Sequence, residues 1–129
     1  MILIPPDLKA RLLANGARPE GDHLPVVKLF NPVGAATWLI TEMEADEETL
    51  FGLADLGFGC PEIGSMSLAE ISSLRMPFGL AIERDLYFER RYPLSVYAEA
   101  ARHLARITED ASLLALAAQK TLPTRSSRR

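Results

Sequence analysis

The chain has 129 residues, 48% hydrophobic and 24% charged, with 9 Pro, 8 Gly and one Cys. This length fits one domain and buries roughly two-thirds of the unfolded surface, so a core can form without a disulfide or a metal. The composition excludes a collagen-like, coiled-coil or wholly disordered chain. The formal net charge of −3 is spread unevenly. Residues 1–28 carry +1, residues 29–74 carry −8 with no base, and residues 75–106 carry +2. Residues 107–119 add −2 and residues 120–129 carry +4. Such asymmetry within a short chain points to a partner.

Cys60 is the lone cysteine, so no intrachain disulfide can form, in keeping with a reducing cytosol. The first residues lack a basic segment followed by an apolar core, and no apolar run approaches the ~20 residues of a membrane helix. A cytoplasmic protein is expected.

Pro5-Pro6-Asp7 opens a short helix with Leu8, Leu12 and Leu13 on one side, and Asn15-Gly16 closes it, Gly16 taking the left-handed C-cap conformation. Residues 17–25 read as a loop. Three strands follow, Pro25–Phe30, Ala36–Glu44 and Thr49–Leu56, the last two joined by the acidic connection Ala45-Asp46-Glu47-Glu48. A three-stranded antiparallel meander is the simplest arrangement. A fourth short strand is placed at Glu62–Met66. Ser67 and Glu70 make a capping box, with Met66 and Ile71 placed as a hydrophobic staple, so a two-turn helix runs to near Leu74. Residues 80–89 end in a strand. Ser95 caps a helix to about Arg106, and Thr108-Glu109-Asp110 caps a second one through Ala118, with one continuous helix as the alternative.

The string Pro77-Phe78-Gly79-Leu80-Ala81-Ile82-Glu83-Arg84-Asp85-Leu86-Tyr87-Phe88 is distinctive. It follows Lys28-Leu29-Phe30, Thr37-Trp38-Leu39, Leu50-Phe51-Gly52-Leu53 and Ser67-Leu68-Ala69-Glu70-Ile71. In that order the set resembles the domain-of-unknown-function 2958 family of short bacterial and phage proteins. The likeness spans roughly residues 3–92. It implies a cytoplasmic protein of plasmids, phages and other mobile elements, and it implies no catalytic residue.

Glu83, Arg84 and Asp85 are the best-placed polar cluster. In a strand the two carboxylates share one face and Arg84 takes the other. With Asp55 converging from a neighbouring strand, they could bind a divalent ion or do acid–base work. The alternative is a set of structural ion pairs. Glu42, Glu44, Asp46, Glu47 and Glu48 form either a solvated hairpin tip or a negative surface for a basic partner. Trp38 is either core or an exposed anchor for that partner. Arg84, Arg90 and Arg91, with Arg125, Arg128 and Arg129 of the tail, could contact nucleic-acid phosphates weakly. His23 and His103 lie far apart, and neither His-Glu-x-x-His nor Cys-x-x-Cys occurs. No cofactor or metal is therefore expected.

The sequence thus predicts an α+β domain over residues 1–119. It has an antiparallel sheet of three to five strands, a short N-terminal helix, a capped middle helix and an Ala-rich C-terminal helical region. The family-like core is 3–92, the helical extension is 95–119, and 120–129 is a basic tail. The expected role is a non-enzymatic binding or regulatory module, monomeric or homodimeric, that meets a protein partner through an acidic surface. A nucleic-acid-associated protein and a small metal-dependent enzyme are the alternatives.

Overall fold

In a computed structural model, residues 1–123 are described. Arg125, Arg128 and Arg129 lie outside the described residues. Helix α1 (Pro6–Gly16) precedes strands β1 (Val27–Phe30), β2 (Thr37–Met43), β3 (Thr49–Asp55) and β4 (Glu62–Ser67). Helix α2 (Leu68–Ser73), a single 3₁₀ turn (Pro77–Gly79), β5 (Glu83–Arg84), α3 (Leu94–Leu104) and α4 (Ala111–Thr121) follow. The sheet is antiparallel in the order β4-β3-β2-β1-β5. This is the expected α+β fold, with all five strands. Among the described residues, no helix is long and apolar enough to cross a membrane.

Each face of the sheet supports its own core. Paired residues in a sheet share a face, so Val27, Leu29, Trp38, Ile40 and Leu50 point one way. They pack with Leu12 of α1 and Ile71 of α2. Leu39 and Leu53 point the other way, onto Leu94, Val96, Tyr97 and Ala101 of α3 and Leu114 and Ala117 of α4. Each such fully buried aliphatic side chain contributes about 1.5–3 kcal/mol. Helix α1 thus covers one face, and the α3–α4 hairpin covers the other.

A β-bulge decides which side chains reach which core. Ile40 pairs with Gly52, but Glu42 pairs with Phe51, so Thr41 is the extra residue. Strict alternation from Ile40 would place Glu42 in the core under α1 and Met43 outside it. The bulge reverses both assignments. Met43 is 1% exposed and packs with Leu12 and Leu50. Thr41 is held from two sides: its hydroxyl donates to the Phe51 carbonyl (3.2 Å), and its own carbonyl accepts from the Asn15 side-chain amide (3.0 Å).

Two glycines make this packing possible. A Cβ on Gly52 would lie 2.0 Å from the Leu39 carbonyl oxygen, and one on Gly16 would lie 2.1 Å from that of Met43. Gly16 is therefore not the left-handed C-cap expected from sequence; α1 ends on Ala17 in a right-handed conformation. It is glycine because the last turn of α1 sits directly on the β2 backbone.

Other local expectations fare unevenly. Ser95 does not cap α3, which starts at Leu94 after Pro93 with no side-chain cap; Ser95 lies inside the helix and donates to Asp22. The Ser67 side chain caps α2 by accepting from the Glu70 N–H (3.1 Å). The carboxylate that completes the cap comes from Glu48, which accepts from the Ser67 hydroxyl and the Ala69 N–H. The strand expected at the end of 80–89 is confined to Glu83–Arg84. Asp85 accepts from the Tyr87 N–H (2.9 Å), and this Asx turn ends pairing there. Ala105 adopts a left-handed conformation (φ 64°) and separates α3 from α4, while Asp110 caps α4 through the Leu113 N–H. Helix α4 runs to Thr121, so Lys120 and Thr121 are helical rather than tail. Phe78 is left-handed as well (φ 65°) and fully exposed at 98%.

Gly52→Ala and Gly16→Ala are each expected to lower stability by about 2 kcal/mol or more, since the new methyl meets backbone that cannot move aside. Urea denaturation should show both midpoints falling, while Gly64→Ala, where a Cβ meets nothing within 4 Å, leaves the midpoint nearly unchanged.

Candidate functional site

The two edges of the sheet differ. Strand β5 has only two residues, and its Arg84 guanidinium donates to the Ile2 (2.6 Å) and Leu3 (2.8 Å) carbonyls, so the N-terminal segment lies against it. At the other edge, β4 has six residues, pairs only with β3 and contains no Pro and no Lys. Its second row of backbone N–H and C=O groups is open among the described residues. Proteins normally blunt such an edge with Lys, Pro or a bulge. Exposed apolar side chains flank it: Ile63 (47%), Leu56 (54%) and Phe58 (83%), the last at a loop tip between the left-handed Gly57 and Gly59. Leu56, Phe58 and Ile63 line a hollow of about 440 Å³ beside the strand.

A cleft of about 260 Å³ opens beside β4 on the α3 face, lined by Phe51 and Ile63 and by the carboxylates Glu20, Asp22 and Glu42. The bulge has turned Glu42 into it. Glu42 is 8% exposed, and burial raises its carboxyl above the ordinary value. The His23 charge works against this shift and the Glu20 charge adds to it. Asp22 is partly spent on α3, whose Ser95 N–H (3.1 Å) and hydroxyl donate to it. The His23 Nε2 contacts the Arg18 carbonyl at 2.8 Å; a carbonyl only accepts, so Nε2 carries a proton. Sequence reasoning placed Glu42 on the hairpin and missed Glu20, Asp22 and Ile63, because only the bulge brings them to one cleft.

The acidic hairpin is largely occupied with holding itself. Asp46 accepts from the N–H groups of Glu48 (2.9 Å) and Thr49 (2.8 Å) and from the Thr49 hydroxyl (2.7 Å). These bonds, those of Thr49 first, lower its pKa. Glu47 pairs with Lys9, and Glu48 caps α2. Glu44 is the member left exposed with no side-chain partner among the described residues. Trp38 is 4% exposed and packed under α1. It is core, with no ring face for a partner, because its row of the sheet faces α1.

Glu83, Arg84, Asp85 and Asp55 do not gather at one point. Three inter-strand steps separate β3 from β5, about 14 Å at ~4.8 Å each. Arg84 turns to the N-terminal carbonyls, opposite to Asp85, as the pleat requires. Asp85 meets Lys28 (3.3 Å), which also pairs with Glu109. Burial works against the Lys28 charge, but the hydrogen bonds and charges of Glu109 and Asp85 outweigh it and raise its pKa. Asp55, 4% exposed, accepts from Gly57 N–H (2.9 Å) and Ile107 N–H (2.9 Å). Asp55 and the Lys28–Asp85–Glu109 set thus clasp the α3–α4 connection onto the sheet. Among the described residues, no three His, Cys, Asp or Glu side chains converge as a metal ion would need. Arg91 pairs with Glu89 (3.0 Å).

Residues 3–108 match the family described as protein of unknown function, DUF2958. The chain belongs to this family. The match runs past residue 92, where the resemblance was expected to stop, and takes in all of α3. No curated protein and no solved structure matches the chain.

Asp55→Ala is expected to cost about 2–3 kcal/mol by stranding two part-buried N–H groups, and Asp55→Asn less, since it keeps one acceptor; thermal unfolding of both variants checks the order. For Glu42, whose pKa is raised on folding, stability is greatest below the unfolded value near 4.5 and is lost as pH rises through the folded value. Glu42→Gln should therefore melt with the parent in acid and at a higher temperature than the parent near neutrality, in melting curves taken across that range.

Proposed function

We propose that this member of the DUF2958 family is a binding module that takes an extended, basic segment of a partner protein along β4. The single observation that carries this reading is the open, undefended β4 edge within a stretch, residues 29–74, that has eight acids and no base. An incoming strand would complete the ladder with main-chain hydrogen bonds, which give affinity, while its alternate side chains give specificity. Those on the α3 side would lie beside Ile63, and a Lys or Arg among them would point into the negative field of Glu42, Glu20 and Asp22. Charge complementarity of this kind speeds encounter and fixes register. Glu62 at the start of β4 and Glu48 and Glu70 beyond its end extend the negative field along the edge. The resemblance to short plasmid and phage proteins supports a cytoplasmic role in the service of mobile elements. It favours a regulatory interaction over catalysis.

The test uses labelled hexapeptides of alternating Val and Lys, and of alternating Val and Glu, titrated into the ¹⁵N-labelled protein. The basic peptide is expected to shift the amides of Glu62–Ser67 and to bind more weakly as salt rises, while the acidic one leaves them in place. Ile63→Lys should weaken the basic peptide about tenfold, a change of about 1.4 kcal/mol. Amide shifts confined to other elements, or equal binding of both peptides, would overturn the proposal.

A further inference from the structure

Two arginines, both exposed, line one hollow with no ion-pair partner among the described residues. Arg11 of α1 and Arg90, in the segment between β5 and α3, line the same hollow of about 360 Å³. Neither forms an ion pair or a side-chain hydrogen bond among the described residues. The other arginine contacts in this part of the fold are internal: Arg84 holds the N-terminal carbonyls and Arg91 holds Glu89. Arg18 and Arg106 are likewise unpaired among the described residues, but Arg11 and Arg90 are the two that line one hollow. Burial, and then the charge of Arg11, lowers the pKa of Arg90, so the two cations repel across the hollow. Holding two like charges together costs energy unless an anion sits between them.

The surroundings define the kind of anion. His23 lines this hollow and also the acidic cleft, so its ring stands between the two. Glu20 and Glu42 lie in the cleft, on the other side of that ring. A Cβ on Gly21 would come within 2.7 Å of the imidazole, so a glycine at 21 lets the ring fold back over the loop. The rest of the lining includes Ala14, Leu24 and Val26, which offer apolar surface. Guanidinium forks match the oxygens of a phosphate in charge and in planar geometry. Two of them suit a dianion better than a monoanionic carboxylate. The volume of about 360 Å³ falls in the range of small-molecule sites.

We propose that the hollow between α1, the 17–26 loop and Arg90 binds a phosphate monoester, with the phosphoryl group between Arg11 and Arg90 and the organic group against Leu24, Val26 and Ala14. The site is independent of the β4 edge, and either assignment can fail without the other.

Phenyl phosphate, inorganic phosphate, phenylacetate and a single-stranded oligonucleotide are the probes, each titrated into the ¹⁵N-labelled full chain. Phenyl phosphate is expected to shift the amides of Ala14, Asn15, His23 and Leu24 and to bind more tightly than inorganic phosphate or phenylacetate. Arg11→Met and Arg90→Met should each weaken it about tenfold, while Arg102→Met on the far surface of α3 leaves it unchanged. Unchanged amide spectra elsewhere verify that the variants are folded. No shift at millimolar phenyl phosphate would overturn the proposal. So would shifts that survive both arginine substitutions. Tighter binding of the oligonucleotide through the same two arginines would replace the small ligand with nucleic acid and overturn it too.

Discussion

One extra residue in β2 sets most of this structure. Without the bulge at Thr41, the pleat would carry Glu42 into the core beneath α1 and leave Met43 on the opposite face. A charged group there, with no partner, costs several kcal/mol and would unfold a domain of ordinary stability. The bulge is held by the Asn15 amide and the Phe51 carbonyl, so α1 and β3 both depend on it. Gly16 and Gly52 follow from the same geometry. One admits the end of α1 onto the Met43 carbonyl, and the other admits the β2 backbone beside β3. The same bulge turns Glu42 into the cleft beside β4, where it joins Glu20 and Asp22.

Charge in this chain is sorted by position rather than balanced by pairing. Many of the acids of residues 29–74 perform local tasks. Asp46 closes its own turn, Glu48 caps α2, and Asp55 holds the α3–α4 connection. What remains negative, Glu42, Glu44, Glu62 and Glu70, lies toward β4 and its two ends. Arg11 and Arg90, which have no ion-pair partner among the described residues, lie beyond His23. A single histidine ring thus stands between an acidic cleft and a basic hollow, in a loop that sequence alone marks only as turn-rich.

Much of the fold was legible because its signals are local. The Ser67 N-cap, the Asp110 cap, the proline start of α1 and the acidic hairpin turn each involve a few neighbouring residues, and each formed, although the carboxylate expected from Glu70 at the Ser67 cap is supplied by Glu48 instead. The positions that misled depend on contacts distant in sequence. Gly16 looks like a C-cap until Met43 is placed beneath it. Trp38 reads as core with an exposed anchor as the alternative, and only the two covered faces of the sheet decide for core. Residues 86–88 have strand composition, yet the Asx turn at Asp85 ends the strand one pair earlier. Glu83, Arg84 and Asp85 alternate across the sheet as the period of two requires. Arg84 and Asp85 find their partners, the Ile2 carbonyl and Lys28, more than fifty residues away, so no local pattern could reveal whether they act or hold.

The family boundary has a physical reason in the same contacts. A sheet ending at Arg84 would leave the buried carboxylate of Asp55 with one donor and expose Leu39 and Leu53. Helix α3 covers those side chains, and the left-handed Ala105 then turns the chain back so that the Ile107 N–H reaches Asp55. The second core is therefore closed only when the chain has passed residue 107, and the family match extends to 108. Helix α4 adds Leu114 and Ala117 to a core whose polar obligations are already met. The bond from the Ile107 N–H to Asp55 thus falls just inside the segment that the family match covers.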